Sequence, residues 1–224
     1  MIVKTILTTS GKKKIAIPTV LSEITLKMLM DTEEGVGGIP MIPELTQDVF
    51  DNITDIKQAD EIKERILSLV HQINYTYDAK AVPSRIHISG KWIDVPKNIS
   101  IEPAGAYMVC RDLIAEEINQ HIAKYGEEKW KEYFRPSLKC CAMLLANYFY
   151  CKATGQLWEE QKAEEFVNEI YKIPITQCLP IANFFFVNFR KLSTTKQTFW
   201  QALKQTWKNA LVRRRLKNSN STTR

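Results

Sequence analysis

The chain has 224 residues, of which 45% are apolar and 25% charged, a balance typical of a globular protein with a substantial core. Eight glycines and nine prolines are too few for a low-complexity or collagen-like sequence. The apolar runs fall short of the roughly 20 residues that a membrane-spanning helix needs, so the sequence predicts no membrane span and no membrane partner.

The first residues and the cysteines both favour a cytoplasmic location. The opening segment MIVKTILTTSGKKK lacks the long apolar stretch of a secretory signal, which predicts a cytoplasmic protein. The cysteines form no CxxC pair and no cluster with histidine at zinc-binding spacing, and their odd number does not suit a disulfide framework. We therefore expect reduced, mostly buried thiols. They are Cys110, Cys140, Cys141, Cys151 and Cys178.

The formal net charge of +6 is unevenly distributed. Residues 1–169 contain 20 Lys and Arg against 25 Asp and Glu, whereas residues 170–224 contain 11 Lys and Arg and no acidic residue. The positive charge of the protein is therefore local to its C-terminal part.

Two segments are typical of β-hairpins. In the first, the β-forming run Ile2 to Leu7 leads through Ser10-Gly11-Lys12 to a second run that Pro18 closes. The second hairpin has the same order, with Ser89-Gly90-Lys91 between two β-forming runs and Pro96 after them. This similarity favours two hairpins in one shared sheet, and an internal duplication is the alternative.

Helical periodicity dominates the rest of the chain. Between the hairpins it predicts helices at 46–55 and 58–72. After Pro103 it predicts an amphipathic helix ending at Gly126, then helical segments at 127–134, 138–151, 163–171 and 178–189, and a final helix. The predicted fold is α+β and mostly α. Residues 1–102 form hairpins with intervening helices, residues 103–217 a helical bundle and residues 218–224 a disordered tail.

The final predicted helix carries the candidate binding surface. An apolar stripe at helical spacing lies among basic residues. The candidate partner-binding residues are Phe199, Trp200, Leu203, Lys204, Trp207, Lys208, Leu211, Arg213, Arg214 and Arg215. These cations suit an acidic protein partner or the acidic remainder of the same chain. The alternative is nucleic acid, with cations on the phosphates and tryptophans stacked on the bases.

The sequence contains no motif of an established catalytic chemistry. It has no GxSxG elbow, no Walker A lysine and no dinucleotide fingerprint, and its three histidines lie on separate elements. We interpret the adjacent glutamate pairs at 116–117, 127–128, 159–160 and 164–165 as solvated helix faces. We therefore predict that the protein is not an enzyme and binds no cofactor and no metal.

Two phrases carry a resemblance to a known group of proteins. The segment Lys14-Ile-Ala-Ile-Pro18, followed by Ser22-Glu23-Ile24-Thr25-Leu26, resembles the opening of small tailed-bacteriophage tail assembly chaperones and related tail morphogenesis proteins. The later phrase Pro180-Ile-Ala-Asn-Phe-Phe-Phe186 is similar to the same group. This resemblance implies a short strand, a proline and a largely helical remainder, with no catalytic residues.

The resemblance also implies a function. Such a protein binds another structural polypeptide, the extended tape-measure protein or a tail protein, and keeps it soluble during assembly. We expect this viral protein in the host cytoplasm, with retention in the virion and self-association into a homo-oligomer as open alternatives. A nucleic-acid-binding accessory protein is the alternative function.

Overall fold

The computed structural model describes residues 1–33, 42, 44–77, 82–95 and 103–194. Over these residues the fold is α+β and mostly helical, as predicted. Its elements in chain order are β1 Ile2–Thr8, β2 Gly11–Ile17, α1 Leu26–Glu33, α2 Gln47–Asp51, α3 Ile56–Tyr77, β3 Arg85–Ile88, β4 Lys91–Asp94, α4 Ala104–Lys129, α5 Leu138–Thr154, α6 Glu160–Ile170 and α7 Ile175–Thr194.

The density of contacts divides the chain into two units, Met1–Phe185 and Phe186–Arg224. The first unit holds β1 to α6 and the first part of α7. Within the second unit, the structure describes only the continuation of α7 to Thr194. The domain boundary predicted near residue 103 stays a prediction.

Both hairpins are present, but each forms its own two-stranded sheet, so the prediction of one shared sheet is wrong. In β1–β2 the two-residue loop is Thr9-Ser10, and Gly11 is already the first residue of β2. In β3–β4 the loop is Ser89-Gly90, with φ of 50° and 80°, the type I′ geometry that matches strand twist. The two Ser-Gly-Lys phrases therefore occupy different turn positions.

The first hairpin packs on α3 to form a local core. Thr54 donates its backbone N–H to the Leu7 carbonyl at 2.9 Å, which fixes the hairpin against the turn before α3. The predicted apolar face of α3 is confirmed at four positions, whereas Val70 is exposed. The buried residues of this cluster are Ile6, Ile15, Ile17, Ile42, Leu45, Ile62 and Ile66.

α5 is the central helix of the remaining core, as its nearly all-apolar sequence predicts. Ser137 caps its first turn, where the Ser137 hydroxyl accepts the Cys140 N–H at 3.2 Å, and Gly155 ends it at φ 73°. α4 and α6 both pack on it. α4 is interrupted at Gly126, φ 81° and ψ 160°, the residue at which the sequence predicts a helix end.

Backbone hydrogen bonds tie the segment before α1 to the turn between α6 and α7. Leu26 donates to the Ile173 carbonyl at 2.9 Å, and Ile175 donates to the Ile24 carbonyl at 2.9 Å. An isolated bridge between Thr25 and Pro174 lies between these two bonds. The segment that follows the first hairpin is therefore joined to the turn between α6 and α7 by paired backbone.

Candidate functional site

The predicted partner-binding residues lie outside the described residues. All ten fall between residues 199 and 215, and the last described residue is Thr194. Their grouping on one helix face therefore stays a prediction. The charge partition can be stated from the sequence alone, since Met1–Phe185 holds 21 Lys and Arg against 25 Asp and Glu, and residues 186–224 hold 10 against none.

The cysteines are free thiols, as predicted, and four of the five are buried. Burial raises the pKa of Cys110 and of Cys178 to about 12, and it raises the pKa of Cys140 and of Cys151 as well. A thiol that stays protonated near neutral pH is a poor nucleophile. These four thiols are therefore not poised for nucleophilic chemistry, and Cys141 is buried in the same helix as Cys140.

Among the residues that the structure describes, no three or more His, Cys, Asp or Glu side chains come together as metal ligands. His71 and His87 are exposed and His121 is half-buried. The glutamates of the pairs at 127–128, 159–160 and 164–165 are exposed, which confirms that they lie on solvated faces.

Glu117 is the exception, and the prediction of a solvated side chain at this position is wrong. Its carboxylate accepts the Ser137 backbone N–H at 2.7 Å and the Ser137 hydroxyl at 2.9 Å. His121 Nδ1 lies 2.9 Å from the Glu117 carbonyl oxygen. A carboxylate at a helix N-terminus is favoured by the helix dipole, so Glu117 joins α4 to the start of α5.

One groove lies between the first hairpin and α3. It has a volume of about 670 Å³ and an apolar floor that includes Ile17 and Leu69. Lys4 and Glu61 form an ion pair in its lining, which also includes Glu64 and Arg65. These two cations and two carboxylates are its charged lining residues, so the formal charges of the lining cancel and favour a ligand of neither sign.

A second groove, called here the Trp92 groove, lies between β3–β4 and the junction of α6 and α7. Its volume is about 470 Å³. It is lined by His87, Ile88, Ser89, Gly90, Trp92, Glu169, Lys172, Ile173, Pro174 and Gln177. His87 and Trp92 are cross-strand partners, with ring centroids 5.1 Å apart. This groove therefore has an aromatic wall on a hairpin, and its opposite side combines the polar Glu169, Lys172 and Gln177 with the apolar Ile173 and Pro174.

Glu169 fixes the tip of that hairpin. Its carboxylate accepts Lys172 Nζ at 2.5 Å and the Ser89 hydroxyl at 3.1 Å. The hydrogen bond from Lys172 is the main cause that lowers the pKa of Glu169 below its usual value.

This shift makes the contribution of Glu169 to stability dependent on pH. A lowered pKa in the folded state stabilises the protein above the unfolded-state pKa of about 4.3, and the stabilisation is lost as pH falls through the folded-state pKa. Glu169→Gln should therefore melt below wild type at pH 7 and approach it as the pH falls from 5 towards 2, in thermal unfolding followed by circular dichroism. Glu165→Gln, at an exposed position of the same helix, is the control. A melting difference that does not change with pH would contradict the assignment.

No helix within the described ranges is both long and apolar enough to cross a membrane. No family model, no curated protein and no solved structure matches this chain.

Proposed function

We propose that this chain is a non-enzymatic assembly protein that binds another structural polypeptide through its basic segment, residues 186–224. The observation that carries the proposal is the charge partition. Ten Lys and Arg without one acidic residue follow a unit in which acidic residues outnumber basic ones by 25 to 21. Uncompensated charge of this kind steers an oppositely charged partner and sets its orientation.

The spacing of the large apolar residues in the basic segment supports a polypeptide partner. Phe199, Leu203, Trp207 and Leu211 recur every four residues, the pattern by which an amphipathic helix binds an apolar groove or another helix. Tryptophan and arginine are also the residue types that most often dominate binding energy at protein interfaces. The segment therefore combines steering charge with apolar anchors.

The segments 14–26 and 180–186 resemble phage tail assembly chaperones, and this resemblance suggests phage tail assembly as the biological setting of the proposal. In that setting the partner is a tape-measure or tail protein, and the protein acts in the host cytoplasm. Gene order gives a direct test. The proposal expects a very long reading frame for a helical tape-measure protein beside the frame for this chain, whereas a terminase or polymerase neighbourhood would contradict it.

Co-expression tests the binding role. The full chain should keep the tape-measure polypeptide soluble and purify with it, and Trp207→Ala combined with Leu211→Ala should remove both effects, because the apolar anchors are lost while the charge is kept. Leu157→Ala is the matched control, since Leu157 is 88% exposed and lies outside the basic segment. Unchanged recovery with the double variant would refute the assignment of the surface.

Nucleic acid binding is the second candidate, and the same cations with Trp200 and Trp207 favour it. Binding through phosphates weakens by orders of magnitude between about 50 and 200 mM salt, whereas binding through apolar anchors changes little. Titration of a fluorescent 20-base single strand and of the polypeptide partner at both salt concentrations separates the two functions. Tight, strongly salt-dependent binding of the single strand alone would favour the second.

A further inference from the structure

α3 carries large apolar side chains outside the face that packs on the first hairpin. On the packed face, Ile62 and Ile66 are buried in the core. Elsewhere on the same helix Ile56 is 75% exposed, Leu67 is 59% exposed and Val70 is 37% exposed. All of α3 belongs to the first unit of the chain, so an inference drawn from these side chains does not involve the basic segment.

The exposed apolar side chains fall on one line together with two exposed charged residues, Asp60 and Lys63. The five positions Ile56, Asp60, Lys63, Leu67 and Val70 are separated alternately by four and three residues. At 3.6 residues per turn they span about 80° of the helix circumference, centred about 110° away from the buried face. Alternating steps of four and three are typical of the line along which one helix packs on another. We call this line the α3 seam.

The charges of the α3 seam define what a complementary partner must carry. Within the part of the chain that the structure describes, neither Asp60 nor Lys63 forms an ion pair, whereas the adjacent Glu61 pairs with a lysine of the first hairpin. From Ile56 to Leu67 the seam is apolar, acidic, basic and apolar. A helix that packs along it must therefore present apolar, basic, acidic and apolar residues in that order.

We propose that the α3 seams of two copies of this chain pack antiparallel and form a homodimer. Read from its C-terminal end, the α3 seam itself has the required order. With a two-fold axis between residues 61 and 62, Ile56 faces Leu67 of the partner subunit. In the same register Asp60 faces Lys63 of the partner subunit, and each pair occurs twice. Parallel packing would instead oppose like charges at both positions, so the charges select the antiparallel orientation.

The short length of the α3 seam predicts a reversible dimer. From Ile56 to Leu67 it extends about 17 Å at 1.5 Å per residue. Small interfaces are typical of weak association, and a two-fold contact closes at two subunits. Analytical ultracentrifugation of the full chain should therefore show monomer and dimer, with the dimer fraction rising with concentration and no larger species formed through this surface. A monomer at every concentration up to about 1 mM would overturn the proposal.

Charge reversal tests the register. Asp60→Lys sets lysine against lysine at both charged contacts, and Lys63→Asp sets aspartate against aspartate. Each single variant should therefore self-associate at least about 10-fold more weakly than wild type, while circular dichroism shows it folded. An equimolar mixture of the two, with one of them fluorescently labelled, should form heterodimers as tightly as wild type pairs with itself, because every lysine then faces an aspartate. Unchanged self-association of the single variants, or no recovery in the mixture, would refute the pairing.

Two further arms test the apolar contacts and separate this proposal from the function proposed for the basic segment. Leu67→Ser should weaken self-association more than about 10-fold, because each dimer loses two apolar contacts. Leu157→Ser is the matched control, since Leu157 is 88% exposed and lies outside α3. Trp207→Ala with Leu211→Ala should leave the dimer intact. Loss of the dimer in that double variant, or an equal loss in both serine variants, would contradict an interface at the α3 seam.

Discussion

Gly105→Ala should lower the free energy of unfolding by about 3 kcal/mol. A Cβ atom at Gly105 would lie 2.4 Å from Cζ3 of the Trp158 ring and 2.9 Å from Cε3, far inside contact distance. Overpacking of this kind typically costs about 1–3 kcal/mol. The Trp158 indole N–H also donates to Asn147 Oδ1 at 3.1 Å, so a displaced ring leaves a buried amide oxygen unpaired, at a further cost of about 1–3 kcal/mol.

The predicted destabilisation by Gly105→Ala is opposite in sign to the usual effect of this change in a helix. In an ordinary helix, glycine to alanine stabilises by up to about 1 kcal/mol. In a Trp158→Ala background, where the obstructing ring is gone, Gly105→Ala should therefore be neutral or stabilising. Thermal unfolding of the four proteins measures both effects, and a loss of 3 kcal/mol corresponds to a fall of about 6–12 °C in melting temperature. Destabilisation in both backgrounds would contradict the proposed clash.

Glu117→Ala should lower the free energy of unfolding by about 2 kcal/mol. The change removes the acceptor of the Ser137 N–H and of the Ser137 hydroxyl and leaves a gap between α4 and α5. Two unpaired donors in a dry interior would cost about 1–3 kcal/mol each. The expected loss is smaller because Ser137 itself is open to solvent and water reaches its polar groups.

The neighbouring glutamate is the matched control. Glu116 lies on the same helix, is exposed, and accepts the Gln120 amide at a long 3.4 Å, so Glu116→Ala should change stability by less than about 0.5 kcal/mol. Ser137→Ala should cost about 1 kcal/mol through the lost cap, and combined with Glu117→Ala it should cost less than the sum of the two. Equal losses for the two glutamate variants in urea unfolding would rule out a special role for Glu117.

Helix faces were predictable because periodicity reflects burial. The stripe Ala163, Phe166, Val167 and Ile170 on α6 is buried as its spacing predicts, since one face of that helix packs on α5. The same rule predicts α5 as central, because it leaves no polar face. Thr46 is the N-cap of α2, at the residue where the sequence places the start of a helix.

Periodicity could not predict contacts between segments that are distant in the chain. Glu117 resembles any surface glutamate until the position of Ser137, 20 residues later, is known. The Trp92 groove needs the hairpin and the α6–α7 junction to meet, and no local pattern encodes that meeting. The sequence did contain one indication of the aromatic wall of this groove. His87 and Trp92 are opposite each other in the predicted hairpin, on its outward face.

The backbone pairing between residues 24–27 and 171–175 bears on synthesis at the ribosome. Leu26 is translated about 150 residues before Ile173, and at roughly 5–20 residues per second its hydrogen-bond partner is made about 7–30 s later. During that interval the amide and carbonyl groups of residues 24–27 have not yet met their partners at 171–175. A strand from a neighbouring nascent chain therefore has time to pair with them. Slower elongation between these two segments should therefore increase aggregation during expression.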